Sequence, residues 1–334
     1  MLAIIRRIMT VATAAILGLA PAIADETRVE IGYMPILPVS QLFVALEEGW
    51  IAEAGLEADL VQFQNGPAMV QALLAGQLDV AYFGIGPAMV ARGRGADIKV
   101  VASNIVEQIS VVALGNLAPY FDGDHATAFQ RFAEAEGRKP VISTFPTGSV
   151  PETVLQYWLR EQLGVDPDTV EIVHQGAAQV QQALLTGAVD GAAILEPVVS
   201  IVEARVDDAQ VVAAGSDLFP RQPGAVLVVR EGLIASNPDA VQALVAAHGR
   251  ATEMLVNDPA AATPHVAEYV GGGRLDPAIV RAAIEASAEG FVADPNFILD
   301  GTREMHDFQE RIGTLKAPVD LDALFDTSFF DALP

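Results

Sequence analysis

The chain has 334 residues, 19 Lys+Arg against 43 Asp+Glu for a formal net charge of −24 at pH 7, and no cysteine. So acidic a chain repels phosphate backbones and anionic lipid, which argues against nucleic acid and membrane surfaces as partners. The missing cysteine excludes disulfides, thiolate metal sites, cysteine nucleophiles and the lipid-bearing cysteine of a lipoprotein.

In chain order, the first feature is an address. Arg6 and Arg7 form a short positive region, Ile8 to Leu19 an apolar run, and Pro21 breaks it before the small residues Ala22-Ile23-Ala24. This is the pattern of a secretory signal peptide spanning residues 1–24, with cleavage before Asp25. About 310 residues follow, too many for one ordinary core and enough for two lobes.

The next elements come as a duplicated unit. Val29 to Tyr33 reads as a strand and Pro38 to Glu48 as a helix ended by Gly49. Ala58 to Phe63 is a β-rich run, and Asn65-Gly66-Pro67 opens a helix closed by Gly76. Asp79 to Phe83 is then a short buried strand. The same order returns with Pro140 to Thr144, Val150 to Leu163, Thr169 to Val173, a helix closed by Gly187, and Asp190 to Leu195. Within it, Gln71-Ala72-Leu73-Leu74-Ala75-Gly76 is matched by Gln182-Ala183-Leu184-Leu185-Thr186-Gly187. Two β-α-β-α-β units predict two α/β lobes with largely parallel sheets and all βα loops of a lobe on one edge, where ligands bind. Asp79 and Asp190, at matching positions, are expected to tie strand starts; Trp50 and Trp158 read as core. The β-rich stretches Lys99 to Ala113 and Gln210 to Val229 are expected to cross between lobes as a two-strand hinge. Residues 25–113 and 225–334 then form lobe 1, and 114–224 form lobe 2. The helices Pro238 to Val256, Ala260 to Val270, Pro277 to Glu289 and Thr302 to Ile312 would cover the first lobe's sheet.

At this point a resemblance enters. The runs Ile31-Gly32-Tyr33-Met34-Pro35, Gly49-Trp50, Gly84-Ile85-Gly86-Pro87, Leu163-Gly164-Val165-Asp166-Pro167 and Glu196-Pro197, in this order, resemble nitrate/sulfonate/taurine-type solute-binding proteins of ABC importers. The resemblance implies an α/β, two-lobed type-2 periplasmic binding protein fold with a two-strand hinge. It further implies a monomer in the periplasm that carries a small-molecule ligand to an inner-membrane ABC permease with a separate ATPase.

A cleft between such lobes needs convergent polar groups at the βα loops. Thr147, Gly148 and Ser149, entering the helix at Val150, offer hydroxyls and helix-end amides to an oxyanion, although Ser149-x-x-Glu152 also reads as a capping box. Glu196, where the family pattern carries an acidic residue, would face the amino group of a zwitterion. Met34, Pro35 and Ser40 are expected to wall the pocket, and Gly86 to permit close backbone approach. Asn104 and Gln108 lie on the first crossover, and Arg221 is the cation placed to pair with an anion. The only lysines are Lys99, Lys139 and Lys316, none near the cleft loops, which speaks against nitrate and bicarbonate. Taurine or another sulfonate is the expected ligand; a pyrimidine or thiamine precursor or other heterocycle is the alternative.

Enzyme chemistry finds little support. The five histidines show no metal-ligand spacing, Gly148-Ser149 lacks the second glycine of a nucleophile elbow, and no phosphate-binding loop is present. No cofactor is expected, though an enzyme of the related pyrimidine-synthase branch remains a rival.

Overall fold

A computed structural model describes residues 27–334; the signal peptide expected over 1–24 lies outside the described residues. Two five-stranded sheets organise the chain. The first has the order β2-β1-β3-β10-β4, built from β1 (Thr27–Tyr33), β2 (Leu56–Gln62), β3 (Val80–Gly84), β4 (Ile98–Ser103) and β10 (Ala225–Arg230). The second repeats that order as β7-β6-β8-β5-β9, from β5 (Ser110–Ala113), β6 (Val141–Thr144), β7 (Glu171–His174), β8 (Gly191–Ile194) and β9 (Gln210–Ala214). The duplicated unit is therefore real in three dimensions: β1, β2 and β3 pair in parallel, as do β6, β7 and β8.

Each sheet is mixed rather than largely parallel. The inserted strand β10 runs antiparallel to both β3 and β4, and β5 runs antiparallel to β8 and β9. The cause lies in the exchange of strands: each lobe receives one strand entering from the other, and such a strand arrives in the opposite direction. Ser110–Ala113, grouped with the first lobe on sequence, accordingly pairs in the second sheet.

The central strands are short and apolar because both faces are covered, while the edge strands β2, β7 and β9 are partly exposed. Val80, Ala81, Tyr82 and Phe83 are wholly buried, as are Val226 to Val229. The helices follow their capping signals. Asn65 accepts from Ala68 N–H at the start of Gly66–Leu74, and Gly187 closes Ala177–Thr186 with a left-handed φ of 66°. Asp190 and Asp79 do tie strand starts. Asp190 accepts from Val141 N–H (2.7 Å), and Asp79 from Glu30 N–H (3.1 Å).

Two segments join the sheets, 104–109 between β4 and β5 and 215–224 between β9 and β10. They run side by side: Glu107 N–H donates to Gln222 O (2.9 Å), Asn104 N–H to Ala225 O (2.9 Å) and Gly215 N–H to Ile109 O (3.0 Å). Each holds one non-glycine residue in the left-handed region, Glu107 at φ 51° and Arg221 at φ 53°, a conformation that costs about 1 kcal/mol or more. The C-terminal helices Pro238–Asn257, Pro259–Ala267, Pro277–Ser287 and Leu299–Arg311 follow. The first two pack on the Ser40–Glu47 helix of the first lobe, whereas Leu299–Arg311 reaches the Val150–Tyr157 helix of the second.

Candidate functional site

The loops after β1, β3, β6 and β8 converge on one seam, because parallel strands with right-handed crossovers put them on one edge of each sheet. There the lobes touch. Leu37 N–H donates to Glu196 O (3.3 Å), a Cβ on Gly84 would stand 2.7 Å from Val150 Cγ2, and one on Gly86 would stand 3.1 Å from Gly148 O. Between the lobes lies a central cavity of about 20 Å³, whose walls include Met34, Ile36, Pro87, Phe145, Val150 and Leu195, with Gln108 and Ser149 as its polar side chains. Among the described residues, no Lys, Arg, His, Asp or Glu lines it. Ligand pockets generally enclose about 300–1,000 Å³, so capture requires the seam to part. The close approach at Gly84 makes a test. Gly84→Val should overpack the seam, disfavour the closed form by about 1–3 kcal/mol, and raise the radius of gyration in small-angle scattering without changing the circular dichroism.

The expected site residues divide. Met34, Gln108 and Ser149 line the central cavity, and Gly148 and Gly86 meet at its edge. Pro35 lines a neighbouring interlobe groove with Gln64, Gln181 and Arg274. Ser149 accepts from Glu152 N–H (3.4 Å), and Glu152 Oε2 in turn accepts from Gly148 N–H (3.2 Å). The helix-start contacts thus engage two of the three groups expected to hold an oxyanion, the Gly148 amide and the Ser149 hydroxyl. Burial raises the Glu152 carboxyl above its usual range, while the Gly148 amide works in the opposite sense. Thr147 is exposed and outside the central cavity.

Three residues serve elsewhere. Ser40 is buried and donates to Leu37 O (2.6 Å), closing a single helical turn. Asn104 is buried, its Nδ2 donating to Pro38 O (3.1 Å) while its backbone carbonyl accepts from Gln41 Nε2 (2.7 Å). Arg221 is exposed, pairs with Asp300 (3.3 Å), and lies in a separate groove with Tyr157, Glu161 and Arg311. Pro220 and Pro223 flank Arg221 in the crossover, and Arg221 does not line the central cavity.

Glu196 presents its backbone to the seam and its side chain elsewhere. Oε2 accepts from Ser200 N–H (3.0 Å) and Oε1 from Ser200 Oγ (2.9 Å). Glu196 lines a hinge-side cavity of about 510 Å³ with Glu107, Gln108, Glu203 and Glu289. Burial pushes its pKa up to about 7, with Ser200 opposing and Glu203 adding to the rise. Sequence reasoning missed the apolar wall of Phe145, Val150, Pro151 and Leu195. These are loop and helix-start positions flanking the polar candidates, and their apolar character just beyond two strand ends was the available signal.

A cleft between two such sheets, crossed twice by the chain, defines the architecture of the two-lobed solute-binding proteins. The NMT1-like family profile matches residues 22–271, and the chain belongs to that family. A Brucella abortus (strain 2308) chain named for a binding role is 26% identical over 327 residues, covering 93% of this chain and 94% of that one. The alkanesulfonate-binding protein SsuA of Xanthomonas axonopodis pv. citri, solved with MOPS, superposes with TM-score 0.74 at 19% identity, covering 91% of this chain and 99% of that one. The periplasmic nitrate-binding protein NrtA of Synechocystis PCC 6803 gives 0.76 at 15% identity, covering 91% and 87%. A DszB mutant in complex with biphenyl-2-sulfinic acid gives 0.63 at 16% identity, covering 92% and 98%. The shared fold therefore holds differently named functions, and the site must decide between them.

Proposed function

We propose that this chain is the substrate-binding component of an ABC import system, exported through the N-terminal signal and working as a periplasmic monomer with a permease and a separate ATPase. It holds its ligand between lobes drawn from roughly residues 27–109 with 225–334 and from 110–224, and it catalyses nothing. The ligand reading rests on one observation: the central cavity is walled by apolar side chains, with Gln108 and Ser149 as the polar ones and no cation among them. Such a lining suits a small solute with an apolar or ring-shaped body and one or two hydrogen-bonding groups, the heterocycle class, because an anion there would be desolvated without a charged partner.

Taurine and other sulfonates form the second reading. It is supported by the alkanesulfonate-binding relative of the same fold, and by the Gly148–Ser149 helix end, whose donors would have to leave Glu152 to meet a sulfonate. A thermal-shift panel separates the two. At saturation the correct class raises the melting temperature by about 5 °C or more. Response to pyrimidines and other neutral heterocycles but not to taurine or alkanesulfonates supports the first reading, and the reverse supports the second. Silence across both groups rejects the ligand proposal. The N-terminal sequence of the mature protein is expected to begin at Asp25.

A further inference from the structure

The helix Leu299–Arg311 belongs to the first lobe by its attachments. Upstream, Ser103 N–H on β4 donates to Ala293 O (3.0 Å); downstream, Asp326 N–H donates to Val100 O (2.9 Å), again on β4. Its own His306 Nε2 accepts from Val319 N–H (3.0 Å), which fastens the following turn beneath it. Yet one flank of this helix lies on the second lobe. Gln309 Nε2 donates to Thr153 Oγ1 (2.8 Å), Tyr157 OH donates to Glu304, and Arg311 Nη2 donates to Glu161 (2.9 Å). The rings of Tyr157 and Phe308 meet edge to face at 5.1 Å.

Thr153, Tyr157 and Glu161 are spaced four apart, so they form one stripe along the Val150 helix and its continuation. That stripe starts one turn beyond Ser149, at the edge of the central cavity. Gln309 is wholly buried there, and its Nε2 would lie 3.0 Å from a Cβ on Gly86. At the other end of the helix Gly301 sits against the second crossover, where a Cβ would stand 2.3 Å from Arg221 O. The helix thus spans from hinge to cleft and touches both moving parts.

We propose that Leu299–Arg311 is a cross-lobe latch, whose Thr153, Tyr157 and Glu161 contacts set the balance between closed and parted lobes from outside the ligand cavity. Parting the seam by rotation about the two crossovers must separate the Gln309–Thr153, Glu304–Tyr157 and Arg311–Glu161 pairs, because the helix is bonded to β4 and the stripe rides on the second sheet. Ligand affinity then scales with the closed fraction, whichever ligand fills the cavity. The outer pair is half exposed and ionic, so salt weakens it, whereas Gln309–Thr153 is neutral and shielded.

The absence of cysteine makes the test clean. Spin labels on Gln71→Cys and Gln182→Cys, exposed matching positions of the duplicated helices, report the distance between lobes without added ligand. Tyr157→Phe with Arg311→Gln removes a hydroxyl and a charge, together with the stacking of Arg311 over Phe308. This double variant should raise the long-distance, parted population about tenfold. A second variant that keeps Tyr157→Phe and swaps the ion pair, Glu161→Arg with Arg311→Glu in place of Arg311→Gln, should return the distribution toward that of the unaltered protein. Arg281→Gln, which breaks an ion pair within a single helix, should leave it unchanged. Moderate salt should shift the unaltered protein in the same direction as the double variant. Unchanged distances in the double variant, with native circular dichroism, overturn the proposal; so does a shift that the charge reversal fails to restore.

Discussion

Asp190→Ala is expected to cost about 3 kcal/mol of folding stability, against about 1 kcal/mol for Asp79→Ala at the matching position of the other lobe. Asp190 is nearly enclosed, with a side-chain exposure of 5%. It accepts from Arg138 through both oxygens (2.6 and 2.7 Å), from Val141 N–H (2.7 Å) and from Asn116 Nδ2. Truncation leaves the Val141 amide and the guanidinium without their acceptor. Asp79 accepts from Glu30 N–H (3.1 Å) in a less enclosed setting. Urea unfolding of the two variants measures the difference, and equal losses would contradict it. Burial by itself would raise the Asp190 pKa, but Arg138, the Val141 amide and Asn116 together hold it below the usual aspartate value. A lowered carboxyl contributes its stability above the unfolded pKa. That contribution is therefore present at neutral pH and lost as pH falls below about 4, the ordinary aspartate range. The consequence reaches the site, since Asp190 joins β6 to β8, and these strands carry the Phe145–Ser149 and Leu195–Pro197 loops.

The second large effect has the opposite sign. Glu196 has its pKa raised from 4.5 to about 7, chiefly by burial. A group whose folded pKa is raised favours the folded state fully below its unfolded value, and that advantage disappears as pH rises through the folded value. Between pH 4.5 and pH 7 the protein should therefore lose about 3 kcal/mol through this carboxyl. Glu196→Gln keeps an acceptor for Ser200 and removes the charge. It should flatten the pH dependence, matching the unaltered protein near pH 4 and exceeding it in stability at pH 8. Melting curves across that range decide it; parallel profiles for the two proteins would rule out a buried, reluctant carboxylate.

These two residues also mark what was legible in the sequence. Asp190 was readable because a repeat exposes positions that do the same local work twice, and a strand-start aspartate depends on neighbours only one strand away. The β-α-β-α-β order, the helix closures at Gly76 and Gly187 and the two crossovers followed from equally local signals. Glu196 was expected to face a ligand's amino group, whereas in the structure its carboxylate is held by Ser200. Ser200 lies one helical turn later, and nothing in a linear pattern says which face a loop side chain leaves by. Arg221 likewise pairs with Asp300 in a groove apart from the central cavity. Ser149 was balanced between capping and ligand binding, and the structure shows its capping contact with Glu152, whose carboxylate also takes the Gly148 amide. The latch helix was legible as a helix, since its apolar spacing announces a buried face. Its partner was not, because Thr153 and Gln309 are 156 positions apart and only the assembled lobes bring them together. The antiparallel strands were hidden likewise: direction within a sheet is set by which lobe a strand enters, and the residues of β5 and β10 carry no mark of it.

The central claim is that a solute is captured, unaltered, between Met34, Ile36 and Pro87 of one lobe and Phe145, Val150 and Leu195 of the other. Native mass spectrometry of the protein, purified without refolding from its native host, tests this most directly. The account predicts a one-to-one small-molecule adduct that is released chemically unchanged on denaturation and is depleted in Gly84→Val. A protein that carries no solute, an adduct held equally well by Gly84→Val, or a solute that the protein converts into another compound would contradict it.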